Sequence, residues 1–211
     1  MRVTTTNDGR TDPRRDADDV SEELGPILAH ALDAFYERGY HGTSVREIAK
    51  RVGLTVPALY YHHASKEAIL FTLLDGSISS VIDRCKRAVA EAPNEPGAQF
   101  RELIECLALY MAHHAKRAAM DAEIRALGTK NRRRYVAKRK VVEELLESAI
   151  RDGVAQGVFD VSAPHETMRA VLGMIWAITV WYRPGGPMSA SDVAESYVDI
   201  ALHTVGYRQG S

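Results

Sequence analysis

Residues Thr43 to Glu67 read TSVREIAKRVGLTVPALYYHHASKE, and the rest of the chain is organised around them. Ser44 with Glu47 three residues later has the spacing of a capping box, and Val45, Ile48, Ala49 and Val52 follow at helical intervals. Gly53 ends that helix, because a tight turn needs a backbone conformation that side chains resist. Leu54 plugs the turn. Thr55 is placed to cap a second helix, and Pro57 suits its first turn. Ser65 caps a third. The second helix, Val56 to His62, has too few apolar residues to be only core, and it ends on two tyrosines and two histidines. Such a helix packs one side on its domain and lays the other against a polar polymer. A DNA major groove fits it best.

Upstream, Met1 to Val20 is polar, charged and without periodicity, which predicts a disordered arm. From Ser21 a helix is expected, with Ile27, Leu28, Ala31, Leu32 and Phe35 on one face and Gly39 closing it. Downstream, the helix capped by Ser65 carries Ile69, Leu70, Leu73, Leu74, Ile78 and Val81, and fades near Ala92 before the breaker run Pro93–Gly97. Five more helical stretches follow: Ala98–His114, Arg117–Leu127, Asn131–Asp152, Pro164–Tyr182 and Ser189–Val205. No stretch alternates with period two for long enough to make a strand. The expected fold is all-α with about nine helices, a three-helix helix-turn-helix head on a C-terminal bundle. The expected boundaries are an arm over 1–20, a head over 21–80 with its helix-turn-helix at 43–62, and a second domain over 81–211.

Composition narrows the function. The 211 residues are 45% hydrophobic and 26% charged, with a formal net charge of -1, so any surface for a polyanion must be local. Cys85 and Cys106 stand alone, without the paired spacing of a zinc site or a disulfide framework. The adjacent His113 and His114 diverge by about 100° on a helix and cannot chelate one metal. No apolar run is long enough for a membrane span, and the N-terminus lacks the apolar core of a signal peptide, so the expected compartment is the cytoplasm. No nucleophile–base pair, metal cluster or phosphate loop is visible. Catalytic residues, metal ligands and cofactors are therefore expected to be none.

Within the head, Thr55, Val56 and Ala58 are small enough for close approach to base edges, and Val56 can meet a thymine methyl. Tyr60, Tyr61 and His62 supply hydrogen-bonding groups. Lys66 lies in the first turn of the next helix, where free backbone N–H groups favour an anion.

The pattern from Ile27 to Leu74 resembles the DNA-binding domain of the tetracycline-repressor (TetR) family. The residues that carry the likeness are Phe35, Gly39-Tyr40, Thr43-Ser44-Val45, Ile48-Ala49, Gly53, then Leu59-Tyr60-Tyr61-His62-His63-Ala64-Ser65-Lys66-Glu67 and Leu70. The resemblance implies DNA contacts from Thr43, Ser44, Val56, Tyr60, Tyr61, His62 and Lys66. One residue departs from it: the family usually has Phe where His63 stands, so His63 either bonds inward or is partly exposed. The resemblance further implies a homodimeric repressor of a double-stranded DNA operator, released by a small-molecule inducer held in the C-terminal domain and paired through its last two helices. The competing reading is a ligand-binding helical protein that has lost DNA recognition.

Three features bear on the inducer. The turn Trp181-Tyr182-Arg183-Pro184-Gly185-Gly186-Pro187 is similar to that of a branch of the family answering to acyl-CoA thioesters of steroid and fatty-acid catabolism. It follows a helix, Pro164–Tyr182, whose apolar residues surround it, so one side can face its own core and another a partner; Trp176 and Trp181 are candidate ligand contacts. Seven cations stand in the eleven residues Lys130–Lys140; they read either as a solvated face or as an anion site for the CoA phosphates, with Arg133 and Arg134 at its centre. Arg125 is either turned into the cavity or paired with Asp121 one turn earlier.

Overall fold

The computed structural model describes residues 13–208, with side chains from residue 24 onward, and is all helical. In chain order the α-helices are α1 (Pro13–Gly42), α2 (Val45–Val52), α3 (Val56–His62), α4 (Lys66–Glu91), α5 (Pro96–His113), α6 (Ala115–Ala119), α7 (Thr129–Ala155), α8 (Pro164–Trp181) and α9 (Ala190–Thr204). A 3-10 helix, Met120–Ala126, lies between α6 and α7. The all-α expectation is borne out, and three local readings change.

First, α1 begins at Pro13, inside the segment read as a disordered arm; residues 1–12 of that segment lie outside the described residues. A helix needs no apolar stripe to start, and proline is preset for a first turn. Second, the chain does not run straight from Ser21. Gly25 (φ 68, ψ 159) breaks the helix before Pro26, which offers no N–H to continue it. Third, Arg117–Leu127 is not one α-helix: only Ala115–Ala119 is, and the next seven residues tighten into the 3-10 form. Asp121, Glu123 and Ile124 are held by different partners there, and a 3-10 turn lets all three be reached.

The head packs Leu32, Phe35, Tyr40, Ile48, Ala49 and Leu59 around the first turns of α4, which contribute Ile69, Leu70 and Leu73. The same face of α4 then runs on through Ile78, Val81, Ile82 and Cys85 into the bundle, where α5 is the central helix. There α9 covers α5 with Val193, Ala194, Val198, Ala201 and Leu202. Cys85 and Cys106 meet across α4 and α5; the hydrogen bond between the thiols, and then burial, raises Cys85, while the same bond lowers Cys106 against the effect of burial.

Two glycines mark close approaches in the bundle. Tyr207 crosses Gly97, where a Cβ would lie 2.8 Å from its ring. A Cβ at Gly153 would overlap the Phe159 ring, which is buried edge-on against Phe100 at 5.3 Å between centroids. Gly153→Ala must therefore displace a buried ring. We expect a loss of about 1–3 kcal/mol, a fall of roughly 2–10 °C in midpoint, read by thermal unfolding.

Candidate nucleic-acid interface and ligand cavity

Serine and threonine caps set the geometry of the head. The side chains of Ser44, Thr55 and Ser65 accept hydrogen bonds from the N–H groups of Glu47, Ala58 and Ala68 at 3.1, 3.3 and 3.0 Å. Gly53 takes the left-handed conformation (φ 74, ψ 24) that closes the turn. The capping box at Ser44 is only half formed. The Glu47 carboxylate turns away to Arg38 and Arg51, both at 3.0 Å, and so braces α2 against α1.

Of the seven expected DNA contacts, five lie on one open face or at its edge. Tyr61 is 88% exposed and Tyr60 46%, and His62 and the cap Ser44 are exposed too. Val56 is half-buried at the entering end of α3. The two others face inward. Thr43 is 2% exposed, and its hydroxyl is 2.9 Å from both the Ala34 and Gly39 carbonyls, to which it donates. It builds the corner between α1 and α2. The Lys66 ammonium donates to the carbonyls of Tyr40 and Thr43, both at 2.8 Å, and lies 4.2 Å above the Tyr40 ring. It clamps α4 to that corner. Two cations that sequence reasoning passed over, Arg46 and Lys50, stand one turn apart on the exposed side of α2, with no carboxylate partner among the described residues. Their i, i+4 spacing beside a polar helix was the available signal.

His63 is half-buried and closes α3 through its own N–H. Burial, and then the neighbouring His62, hold its imidazole below the ordinary 6.5. The fold thus favours the neutral ring. Its contribution is whole above pH 6.5 and is lost as pH falls from there toward the lowered value, because the unfolded chain takes up the proton first. In His63→Phe this slope should vanish, so the gap in midpoint between about pH 7.5 and about pH 5.5 should shrink relative to wild type.

The second site is a cavity of about 350 Å³ between α4, α5, α6, the 3-10 helix, α7 and α8. Ile78, Val81, Leu107, Met111, Val142 and Met168 make its apolar body. Its polar groups converge from one side. Tyr135 donates to Asp121 at 2.8 Å, and Arg139 pairs with Asp121 and Glu143, both at 3.4 Å. Burial and the Asp121 carboxylate raise the Tyr135 phenol far above its usual range, so it stays a neutral donor. Arg117 is buried in the wall, while Arg139, Arg169 and Trp176 are exposed at the rim.

Of the expected ligand contacts, Trp176 alone lines the cavity. Arg125 is exposed on the 3-10 helix outside it, and Asp121, its alternative partner, is taken by Tyr135 and Arg139. Arg133 and Arg134 are exposed on the first turns of α7, away from the cavity; Arg134 lies 4.7 Å over Phe71. Trp181 is stacked on Tyr197 at the surface, with its indole N–H donated to the Tyr197 hydroxyl at 3.2 Å. A helix turns each successive residue by about 100°, so neighbours in a sequence run do not share a direction. That is why Tyr135 and Arg139, one turn apart, reach the cavity and the residues beside them do not.

Comparison with known proteins agrees with this architecture. Residues 27–73 match the family described as bacterial regulatory proteins, tetR family, and residues 93–205 match the tetracyclin repressor-like C-terminal domain. The chain belongs to the TetR family of transcriptional regulators. It is 30% identical over 200 residues to the HTH-type transcriptional repressor KstR2 of Mycobacterium tuberculosis, covering 89% of this chain and 95% of that one. The structure of PfmR from Thermus thermophilus superposes with a TM-score of 0.77 at 35% identity, over 84% of this chain and 97% of that one. AibR, solved in complex with isovaleryl coenzyme A and operator DNA, superposes at 0.76 and 26% identity, over 82% and 95%. The protein is thus a ligand-responsive, DNA-binding regulator. Among the described residues, no helix is long and apolar enough to cross a membrane.

The Lys66 clamp is open to direct test. Lys66→Met leaves two carbonyls without their charged donor. We expect a loss of about 1–3 kcal/mol in the unfolding free energy, read by urea denaturation.

Proposed function

We propose that this protein is a homodimeric repressor released from its operator by an acyl-CoA thioester. The observation that carries the reading is the sharing of one short element between sensor and head. Asp121, in the cavity wall, and Glu123, which accepts the Tyr40 N–H at 3.0 Å, are two residues apart on the 3-10 helix. Tyr40 in turn carries the Lys66 clamp. An acyl group fits the apolar body, whose volume lies in the range of ligand pockets. The CoA phosphates then lie at the rim with Arg139 and Arg169. An anion that draws Arg139 away from Asp121 frees the 3-10 helix to shift, and the shift passes through Glu123 to the corner on which α3 is mounted. The AibR complex supports this ligand class, and the likeness to KstR2 supports repression.

Dimerisation is supported by what α8 and α9 leave uncovered. Val180 is 59% exposed, Ile200 47% and Trp181 44%, beside the half-buried Tyr197. A large apolar patch of this kind marks an interface. Two heads so joined read two half-sites about one helical turn, or a multiple, apart. Ser44, Val56, Tyr60, Tyr61 and His62 make the contacts, with Arg46 and Lys50 on phosphates.

Val180→Glu should convert the dimer to monomer in sedimentation at micromolar concentration and abolish cooperative operator binding. The central experiment is fluorescence anisotropy with the DNA upstream of the protein's own gene. Wild type should bind with steep salt dependence, Tyr61→Ala should bind roughly tenfold or more weakly, and an acyl-CoA panel should contain a member that releases the DNA. Failure to bind DNA at low salt would favour the reading in which DNA recognition is lost. Binding without release by any thioester would reject the inducer class alone.

A further inference from the structure

The basic run on α7 divides into two halves with different fates. Its second half is neutralised. Lys138 is 2.8 Å from Asp75 and 2.7 Å from the Ser79 hydroxyl, Arg139 lies between Asp121 and Glu143, and Lys140 pairs with Glu144 at 3.3 Å. In the first half Lys130, Arg132 and Arg133 are exposed, and among the described residues none of them pairs with a carboxylate. None of the three lines the cavity.

Their position is set by the start of α4. Glu67 accepts the Gly128 N–H and the Asn131 side-chain N–H, each at 2.9 Å, and so holds the first turn of α7. Gly128 permits the approach, since a Cβ there would lie 3.3 Å from the Glu67 carboxylate. Arg134 over Phe71 continues the contact along α4. The unpaired cations thereby stand on the helix whose start is fixed to the first turn of α4, the helix that follows α3.

Energetically the placement is unfavourable for the free protein. Helix N-termini carry partial positive charge, and α7 begins with cations, no acidic residue in its first turn and no side-chain cap of its own. Glu67 supplies one carboxylate, already engaged by two N–H donors. A polyanion laid along this surface would relieve the remaining repulsion. Glu67, which holds the start of α7, stands only five residues after His62, the end of the helix that bears Tyr60 and Tyr61.

We propose that Lys130, Arg132 and Arg133 form a second phosphate-binding patch, which grips the duplex backbone flanking the half-site read by α3. The proposal rests on the reading of α3 as a DNA reader. Such contacts add affinity and register without base information. They also place a DNA contact on the helix that lines the ligand cavity through Tyr135 and Arg139, so a ligand that tilts α7 acts on the duplex by a route separate from the head.

The test uses full-length protein and two duplexes from the region upstream of its own gene, one trimmed to the paired half-sites and one with several flanking base pairs on each side. Affinity is measured against salt concentration. On the long duplex the triple variant Lys130→Ala, Arg132→Ala, Arg133→Ala should bind roughly tenfold more weakly, and its salt slope should flatten by about 0.9 for each phosphate it no longer neutralises. On the trimmed duplex wild type and variant should agree. Arg132→Lys with Arg133→Lys should keep the wild-type slope, since a phosphate asks for charge more than for a planar fork. Equal slopes for wild type and triple variant on both duplexes would overturn the patch while leaving the α3 reading intact. So would equal weakening on both duplexes. Unchanged DNA binding with a loss of affinity for free coenzyme A, by calorimetry, would assign the cations to the ligand and overturn it too. Wild type that binds neither duplex would defeat both readings together.

Discussion

The first turn of α4 joins everything else. Lys66 and Glu67 are neighbours in sequence and face opposite partners: Lys66 reaches two carbonyls of the α1–α2 corner, and Glu67 reaches the start of α7. All four are charge-assisted hydrogen bonds, and all but the Gly128 one are partly buried, the kind that loses most when one partner is removed. One turn of helix therefore fixes the recognition helix to its own domain and that domain to the bundle. The clamp also explains why Tyr40 is an aromatic that is buried and polar at once. Its ring lies under the ammonium, its carbonyl accepts from it, and its N–H is given to Glu123.

The head could not do this alone. Its matched segment, residues 27–73, is shorter than most chains that fold independently, because so small a body buries too little of its surface. It completes its core by taking Ile69, Leu70 and Leu73 from a helix that continues into the bundle. The 26 residues of α4 span about 39 Å, so one rigid element serves two cores. A head that depends on the bundle for its core cannot drift from it. Polar ties on both flanks add to this: Lys116 with Asp33, and Lys138 with Asp75. Packed elements of this kind shift between discrete arrangements instead of bending smoothly, which suits a two-state switch.

Much of this was legible in the residues. The caps Ser44, Thr55 and Ser65, the turn glycine Gly53 and the exposed aromatics of α3 obey local rules, and local rules can be read from a single chain. Direction could not. Thr43 and Lys66 have the chemistry of DNA contacts, but carbonyls of the α1–α2 corner turn both inward, and for Lys66 those carbonyls are distant in sequence. Glu47 has the spacing of a capping box, yet two arginines draw its carboxylate away from the backbone N–H. The cavity was least legible, because its polar side is built from residues of three elements: Arg117, Asp121 and the pair Tyr135 and Arg139. No window of sequence contains that convergence. The same holds for Cys85 and Cys106, unpaired by spacing and joined by the packing of α4 on α5.

The placement of charge on α7 is the last consequence of that packing. Cations that fall on the side facing α4 and the 3-10 helix meet Asp75 and Asp121, and they are fixed as structural pairs. Cations nearer the start of the helix are exposed and, among the described residues, meet no carboxylate. Arg132 and Arg139, like Arg133 and Lys140, are two turns apart on one face, so position along the helix, not its angular repeat, sorts the basic run into two populations. The paired population ties the cavity wall to its neighbours, so a ligand anion must compete with existing carboxylates for Arg139 and gains only the difference. The unpaired population has no such competitor, and its charge is fully available to a partner outside. A chain with net charge -1 can thus present a local cluster of unpaired cations, with no need of an overall basic composition.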